Sequence, residues 1–128
     1  MRKFDGQDIF HVHTYRCGHA EKLRDEVYIQ KAIEYGAGRI SFTDHAPFPE
    51  NPFGSRMLME QLPEYILTLR GLKEKYSGVI DVRIGLEIEY LPSFKEYYHE
   101  LRENSAIEIL VLGQHFFEAE KGRYSLSD

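Results

Sequence analysis

The chain has 128 residues, of which 42% are apolar and 29% charged, with a net charge of −5. That suffices for one modest domain with a core, but falls short of the roughly 200 to 250 residues typical of a closed α/β barrel. The acidic balance disfavours bulk binding to nucleic acid. No long apolar run follows the amino terminus, so neither a signal peptide nor a membrane span is expected. The single cysteine, Cys17, excludes an intrachain disulfide framework, and a reducing cytoplasm is the expected compartment.

Four short apolar runs rich in β-branched residues alternate with stretches of helical period. The first run, Asp8 to Val12, leads into three histidines within nine residues: His11, His13 and His19. Side chains on a strand alternate faces, so His11 and His13 are expected on one side, where neutral imidazoles suit zinc, iron or manganese. His19 follows a Cys-Gly turn and can fold back over the same strand end. Cys17 can ligate zinc too, although packing as a small residue is the expected role of its thiol. A helix is expected next, capped by Asp25, carrying Val27, Ile29, Ala32 and Ile33 and ended by Gly36 and Gly38.

The second strand is expected over Arg39 to Thr43, delivering Asp44 and His45 at its end. The loop Ala46 to Arg56 holds three prolines and two phenylalanines without any period, and such a loop after a strand reads as a binding or lid element. A helix begun by Pro63 continues through Ile66, Leu69 and Leu72 to Tyr76, Ser77 and Gly78. The third strand, Val79 to Glu87, ends on a carboxylate that would be costly to bury alone, and Glu89 beyond it reads as a surface or supporting charge. A third helix opens at Ser93 with Glu96 as capping-box partner, and His99 within it reads as solvated. The fourth strand, Ile107 to Gly113, precedes His115.

This β-α-β-α-β-α-β rhythm predicts a parallel sheet in one α/β domain over residues 1–128. The carboxy-terminal ends of parallel strands share one edge, where such folds build their sites. Imidazole or carboxylate at all four ends points to a metal site, and Asp44 beside His45 suits a carboxylate that orients an imidazole. Arg16 and Arg56, in strand-end loops, are candidates to grip a phosphate bidentately.

Several motifs then identify a resemblance. They are His11-Val12-His13 with Cys17-Gly18-His19-Ala20, Phe42-Thr43-Asp44-His45-Ala46-Pro47, Ser55-Arg56-Met57, Gly85-Leu86-Glu87 and Gly113-Gln114-His115-Phe116. In order, they resemble the polymerase and histidinol phosphatase (PHP) superfamily, and within it the monofunctional histidinol-phosphate phosphatases. The resemblance implies the first part of a distorted (β/α)7 barrel with up to three divalent metal ions, zinc, manganese or iron, at the strand ends. His11, His13 and Glu87 would hold the first ion. Glu87 would bridge to a second that also takes His115, and His19 with His45 would hold the third. Asp44 would join His11, His13, Glu87 and His115 in the catalytic set.

The implied reaction is hydrolysis of a phosphate monoester, with histidinol phosphate as the leading substrate and metals activating both phosphoryl oxygen and water. Arg16 or Arg56 would neutralise charge on the phosphate. The alternatives are a phosphoesterase acting on another phosphorylated metabolite or nucleotide, and a catalytically silent metal-binding module. Members of this family continue for roughly as many residues again and supply further ligands, so this chain reads as the amino-terminal half of such a protein. Its fourth strand would become an open sheet edge, through which the chain is expected to self-associate.

Overall fold

The computed structural model describes residues 8–17, 24–52, 54, 56–113, 116–119 and 122–125, the last two segments by their backbone. Strand β1 (Asp8–Val12) is followed by helix α1 (Asp25–Glu34), β2 (Arg39–His45), α2 (Leu62–Lys75), β3 (Asp81–Ile88), α3 (Lys95–Glu103) and β4 (Ile109–Leu112). The four strands form one parallel sheet in the order β1-β2-β3-β4. A two-stranded antiparallel hairpin, β5 (Phe116–Ala119) and β6 (Gly122–Ser125), follows. The sequence reading anticipated the four parallel strands and not the hairpin.

The punctuation acts much as the sequence suggests. Gly36, at φ 83°, closes α1 in a left-handed turn: its N–H donates to Ile33 O at 2.9 Å, and Ala37 N–H donates to Ala32 O at 3.0 Å. Gly78, at φ 86°, performs the equivalent turn after α2, and Pro63 lies in that helix's first turn. Two expected caps differ. Arg24, not Asp25, holds the cap position of α1, and α3 begins at Lys95 after a short turn over Pro92–Phe94, without a side-chain cap bond.

The core lies between the sheet and the helices. Ile40, Phe42, Val82, Ile84 and Leu86 from the central strands pack with Ile29 and Ala32 of α1, Tyr65 and Leu69 of α2, and Tyr97, Tyr98 and Leu101 of α3. β2 and β3 are buried nearly throughout, as a parallel sheet covered on both faces requires. The two edge strands are less covered: Phe10 on β1 and Leu112 on β4 are exposed. Helix α2, Leu62–Lys75, is amphipathic, and no helix among the described residues is long and apolar enough to cross a membrane.

Gly85 in β3 lets β4 approach closely. A Cβ there would meet Ile109 O at 2.6 Å and Ile109 Cβ at 2.8 Å, and a strand backbone has little room to withdraw. Gly85→Ala is therefore expected to destabilise the chain by about 1–3 kcal/mol in chemical denaturation. Gly71→Ala in α2, where nothing lies within 4 Å, should act oppositely and gain about 0.5–1 kcal/mol.

Candidate metal centre

The ends of β1, β2 and β3 bring four of the expected residues together. His11 Nε2 and His13 Nε2 each lie 3.0 Å from Glu87 Oε1, and His45 Nδ1 lies 3.8 Å from Glu87 Oε2. The ring centroids of His13 and His45 are 4.4 Å apart, those of His11 and His13 4.6 Å. Register explains half of this arrangement, because His45 and Glu87 are partners across β2 and β3.

The other half is not simple strand alternation. The β1–β2 register shifts between Ile9 and Val12, and His11 sits at φ 70°. A bulge and a left-handed residue thus turn both imidazoles onto Glu87. A bulky side chain in that conformation is strained, and such strain gathers at functional sites.

The donor set fits a divalent cation. Metal–ligand bonds of about 2.0–2.1 Å imply ligand spacings of about 2.9–3.4 Å around an octahedral or tetrahedral ion, and the two nitrogens stand 3.0 Å from the carboxylate oxygen. Glu87 is 4% exposed, too buried for a lone charge, and its two oxygens face different imidazoles. Gly113 clears the space: a Cβ there would run into the Glu87 carboxylate. His11 Nδ1 is 2.9 Å from Thr43 Oγ1, the outer partner that fixes a ligating ring. Thr43 is visible in the sequence beside Asp44, but nothing in spacing alone assigns it this role.

Asp44 does not join the Glu87 cluster directly. It is fully buried, and its Oδ2 accepts hydrogen bonds from Thr14 N and Thr14 Oγ1, while Oδ1 accepts from His45 N at 3.1 Å. Burial pushes its carboxyl above the ordinary value, with the Thr14 bonds opposing. Asp44 thereby ties the turn after β1 to the end of β2. Tyr65 adds a third tie, its hydroxyl donating to Gly85 O at 2.7 Å and accepting from Asp44 N at 3.4 Å.

Behind Asp44 lies Arg16, and here the structure corrects an expectation. Its Nε donates to Glu64, one terminal nitrogen to Thr14 Oγ1 and Asp25 Oδ1, and the other to Asp25 Oδ2 and Glu64 Oε2, at 2.6–3.1 Å. All five N–H donors have acceptors, so none is left to grip a phosphate. Burial alone would lower the Arg16 pKa, but the Glu64 and Asp25 carboxylates outweigh it and hold the guanidinium above its ordinary value. Asp25, read from the sequence as a helix cap, is the buried counter-ion.

The loop after β2 is anchored rather than open at its start. Ala46, Pro47 and Phe48 are buried, and Tyr97 donates its hydroxyl to Pro47 O. The Arg56 guanidinium packs 5.4 Å from the Phe48 ring centroid and lies 3.7 Å from Glu89. Glu89, expected as a surface or supporting charge, is fully buried, which excludes the first of these roles and leaves the second. His99 is exposed on α3, as expected. His19 and His115, the other two expected ligands, lie outside the described residues.

Comparisons with known proteins agree with the motif order. The PHP domain family model matches residues 10–125. A protein named probable histidinol-phosphatase from Deinococcus radiodurans is 38% identical over 94 residues, covering 71% of this chain and 35% of that protein. Histidinol-phosphatase of Bacillus subtilis is 35% identical over 102 residues, covering 75% of this chain and 37% of that one. The chain thus spans little more than a third of the length of these relatives. A Listeria monocytogenes crystal structure, provisionally named a histidinol phosphatase, matches 94% of this chain and 49% of its own, with TM-score 0.80 and 26% identity. Histidinol phosphate phosphatase from Lactococcus lactis, solved with zinc, L-histidinol and phosphate, matches 85% of this chain and 40% of its own; TM-score 0.70 at 24% identity shows the shared fold.

Removing Arg16 should cost stability, because Asp25 would be left as a buried unpaired carboxylate. Arg16→Met is expected to lose about 3–5 kcal/mol in urea denaturation, with Asp25→Leu added to it restoring part of the loss. The hydrogen bond from Arg16 holds the Glu64 carboxyl below its ordinary value, so its contribution is present above the ordinary carboxylate range and is lost as pH falls through the lowered value. The acid side of the stability profile should therefore be flatter in Arg16→Met. Four parallel strands with intervening helices and a family match running from Phe10 to Ser125 establish that the chain belongs to the PHP domain family.

Proposed function

We propose that this chain carries part of the active site of a metal-dependent phosphomonoesterase that converts histidinol phosphate to histidinol and phosphate. The carrying observation is Glu87, whose Oε1 is flanked at 3.0 Å by His11 and His13 while Oε2 turns toward His45. Relatives named histidinol-phosphatase and a fold neighbour solved with zinc, L-histidinol and phosphate support the substrate. The cytoplasm is the proposed compartment.

In this reading, His11, His13 and Glu87 would hold one divalent ion, Glu87 and His115 would serve a second, and His45 with His19 a third. Bound ions supply Lewis acidity to the phosphoryl group and a lowered pKa to the attacking water. The chain's own residues supply position. Thr43 fixes the His11 ring, and Asp44 anchors Thr14 and the His45 backbone. Of the two arginines, Arg56, in the loop that follows β2, is the proposed phosphate contact, because the donors of Arg16 are taken up by Thr14, Asp25 and Glu64.

Metal content and turnover test this separately. The purified chain should bind zinc or manganese, and His11→Ala with His13→Ala should remove the ion held with Glu87, measured by elemental analysis after dialysis. Unchanged content would overturn the ligand assignment. Thr43→Val should weaken metal affinity about 10- to 100-fold without unfolding the chain. In the polypeptide that contains the complete barrel, phosphate release should favour histidinol phosphate over nucleotides and aryl phosphates by at least tenfold in kcat/KM. A preference for another phosphate ester would overturn the substrate.

A further inference from the structure

A second donor set lies directly behind the first and contains sulfur. Cys17, the single cysteine, is fully buried at the end of the short turn Tyr15–Cys17, where its N–H donates to Thr14 O at 3.3 Å. Cys17 Sγ, a ring nitrogen of His13 and a carboxylate oxygen of Asp44 all lie within 4.8 Å of one another. They come from three backbone segments: the chain just after β1, the turn that follows, and the end of β2. Each is held in place: His13 through Glu87, Asp44 through Thr14 and the His45 N–H, and Cys17 through its turn onto Thr14.

We propose that His13, Cys17 and Asp44 form a second metal position, selective for thiophilic divalent cations such as zinc, that shares His13 with the Glu87 site. Sulfur, imidazole and carboxylate bonds to zinc of about 2.3, 2.0–2.1 and 2.0–2.2 Å imply donor spacings of about 3.3–3.8 Å around a tetrahedral ion. Donors within 4.8 Å of one another close on an ion by side-chain movements of about 1 Å or less. Three protein donors leave a fourth position for water. Thiolate selects zinc over manganese or magnesium, which favour oxygen-rich sets, so the two positions sort metals by softness. As the metal–sulfur bond forms, the S–H bond breaks and its proton goes to solvent, one per ion bound.

This assignment goes beyond the proposed phosphatase and stands or falls without it. Anaerobic titration of the reduced chain with Co2+ reads it directly, because thiolate-to-cobalt charge transfer absorbs in the near ultraviolet, apart from the visible bands of cobalt held by nitrogen and oxygen. The expected result is a sulfur band saturating at one cobalt per chain. It should vanish in Cys17→Ser, weaken at least tenfold in affinity in Asp44→Asn and persist in Glu87→Gln. Visible bands surviving in Cys17→Ser would report the Glu87 site separately. Zinc X-ray absorption of the wild-type chain needs no variant and should show a sulfur shell at about 2.3 Å. A cobalt spectrum without the sulfur band at saturation, a zinc shell of nitrogen and oxygen alone, or full sulfur-band affinity in Asp44→Asn would overturn the proposal.

Discussion

The structure turns on one buried carboxylate. Glu87 sits near the end of β3, where its neighbours Leu86 and Ile88 are apolar, between two imidazoles on one oxygen and a third on the other. A lone charge at that depth would cost several kcal/mol, and an apolar residue would pack there without penalty. The surroundings are accordingly arranged around a charge: β2 places His45 in register with it, β1 bends to aim His11 and His13 at it, and Gly113, just after β4, leaves it room.

Aiming the first strand has its own cost, which is met by a network and not by the core. His11 occupies a backbone region that side chains rarely adopt, and a strained segment persists only where its surroundings fix it. The fixing runs from Thr14 through Asp44 to the His45 backbone on one side, and from Thr14 to Arg16 on the other. Arg16 is held in turn by Asp25 at the start of α1 and Glu64 at the start of α2, and its guanidinium packs 4.7 Å from the Tyr15 ring centroid and 5.3 Å from that of Tyr65. A charged chain thus joins two helix starts to the turn that follows the first two ligands. It gives Arg16 a role that charge and loop position alone could not distinguish from phosphate binding.

That ambiguity marks what the sequence could express. Strand ends were legible because apolar β-branched runs stop at polar residues, and helix ends because Gly36 and Gly78 need left-handed backbone. The convergence of His11 and His13 was anticipated, but by the wrong route: alternation predicts a shared face, whereas the chain uses a bulge, which leaves no local signature in His-Val-His. Asp25 reads as a helix cap, and Glu89 as either a surface or a supporting charge, for one reason. Each is a carboxylate whose partner, Arg16 or Arg56, lies many residues away, and local pattern cannot tell a buried ion pair from a cap or a surface charge. The hairpin of β5 and β6 was missed because the strand-helix rhythm had already ended.

Ligand geometry and completion of the barrel are physically separable. The described cluster draws its donors from β1, β2 and β3, whose pairing and burial are already extensive, while β4 contributes the space beside Glu87. Phe10 and Leu112, exposed on the two edge strands, take no part in that cluster. Relatives about twice as long have more chain with which to cover such edges and to enlarge such a site. The proposed first metal position depends on the register of three strands and the Arg16 network beneath them. The proposed binding at His11, His13 and Glu87 calls only on this local fold, while the proposed hydrolysis also requires a closed, water-excluding pocket around the phosphate.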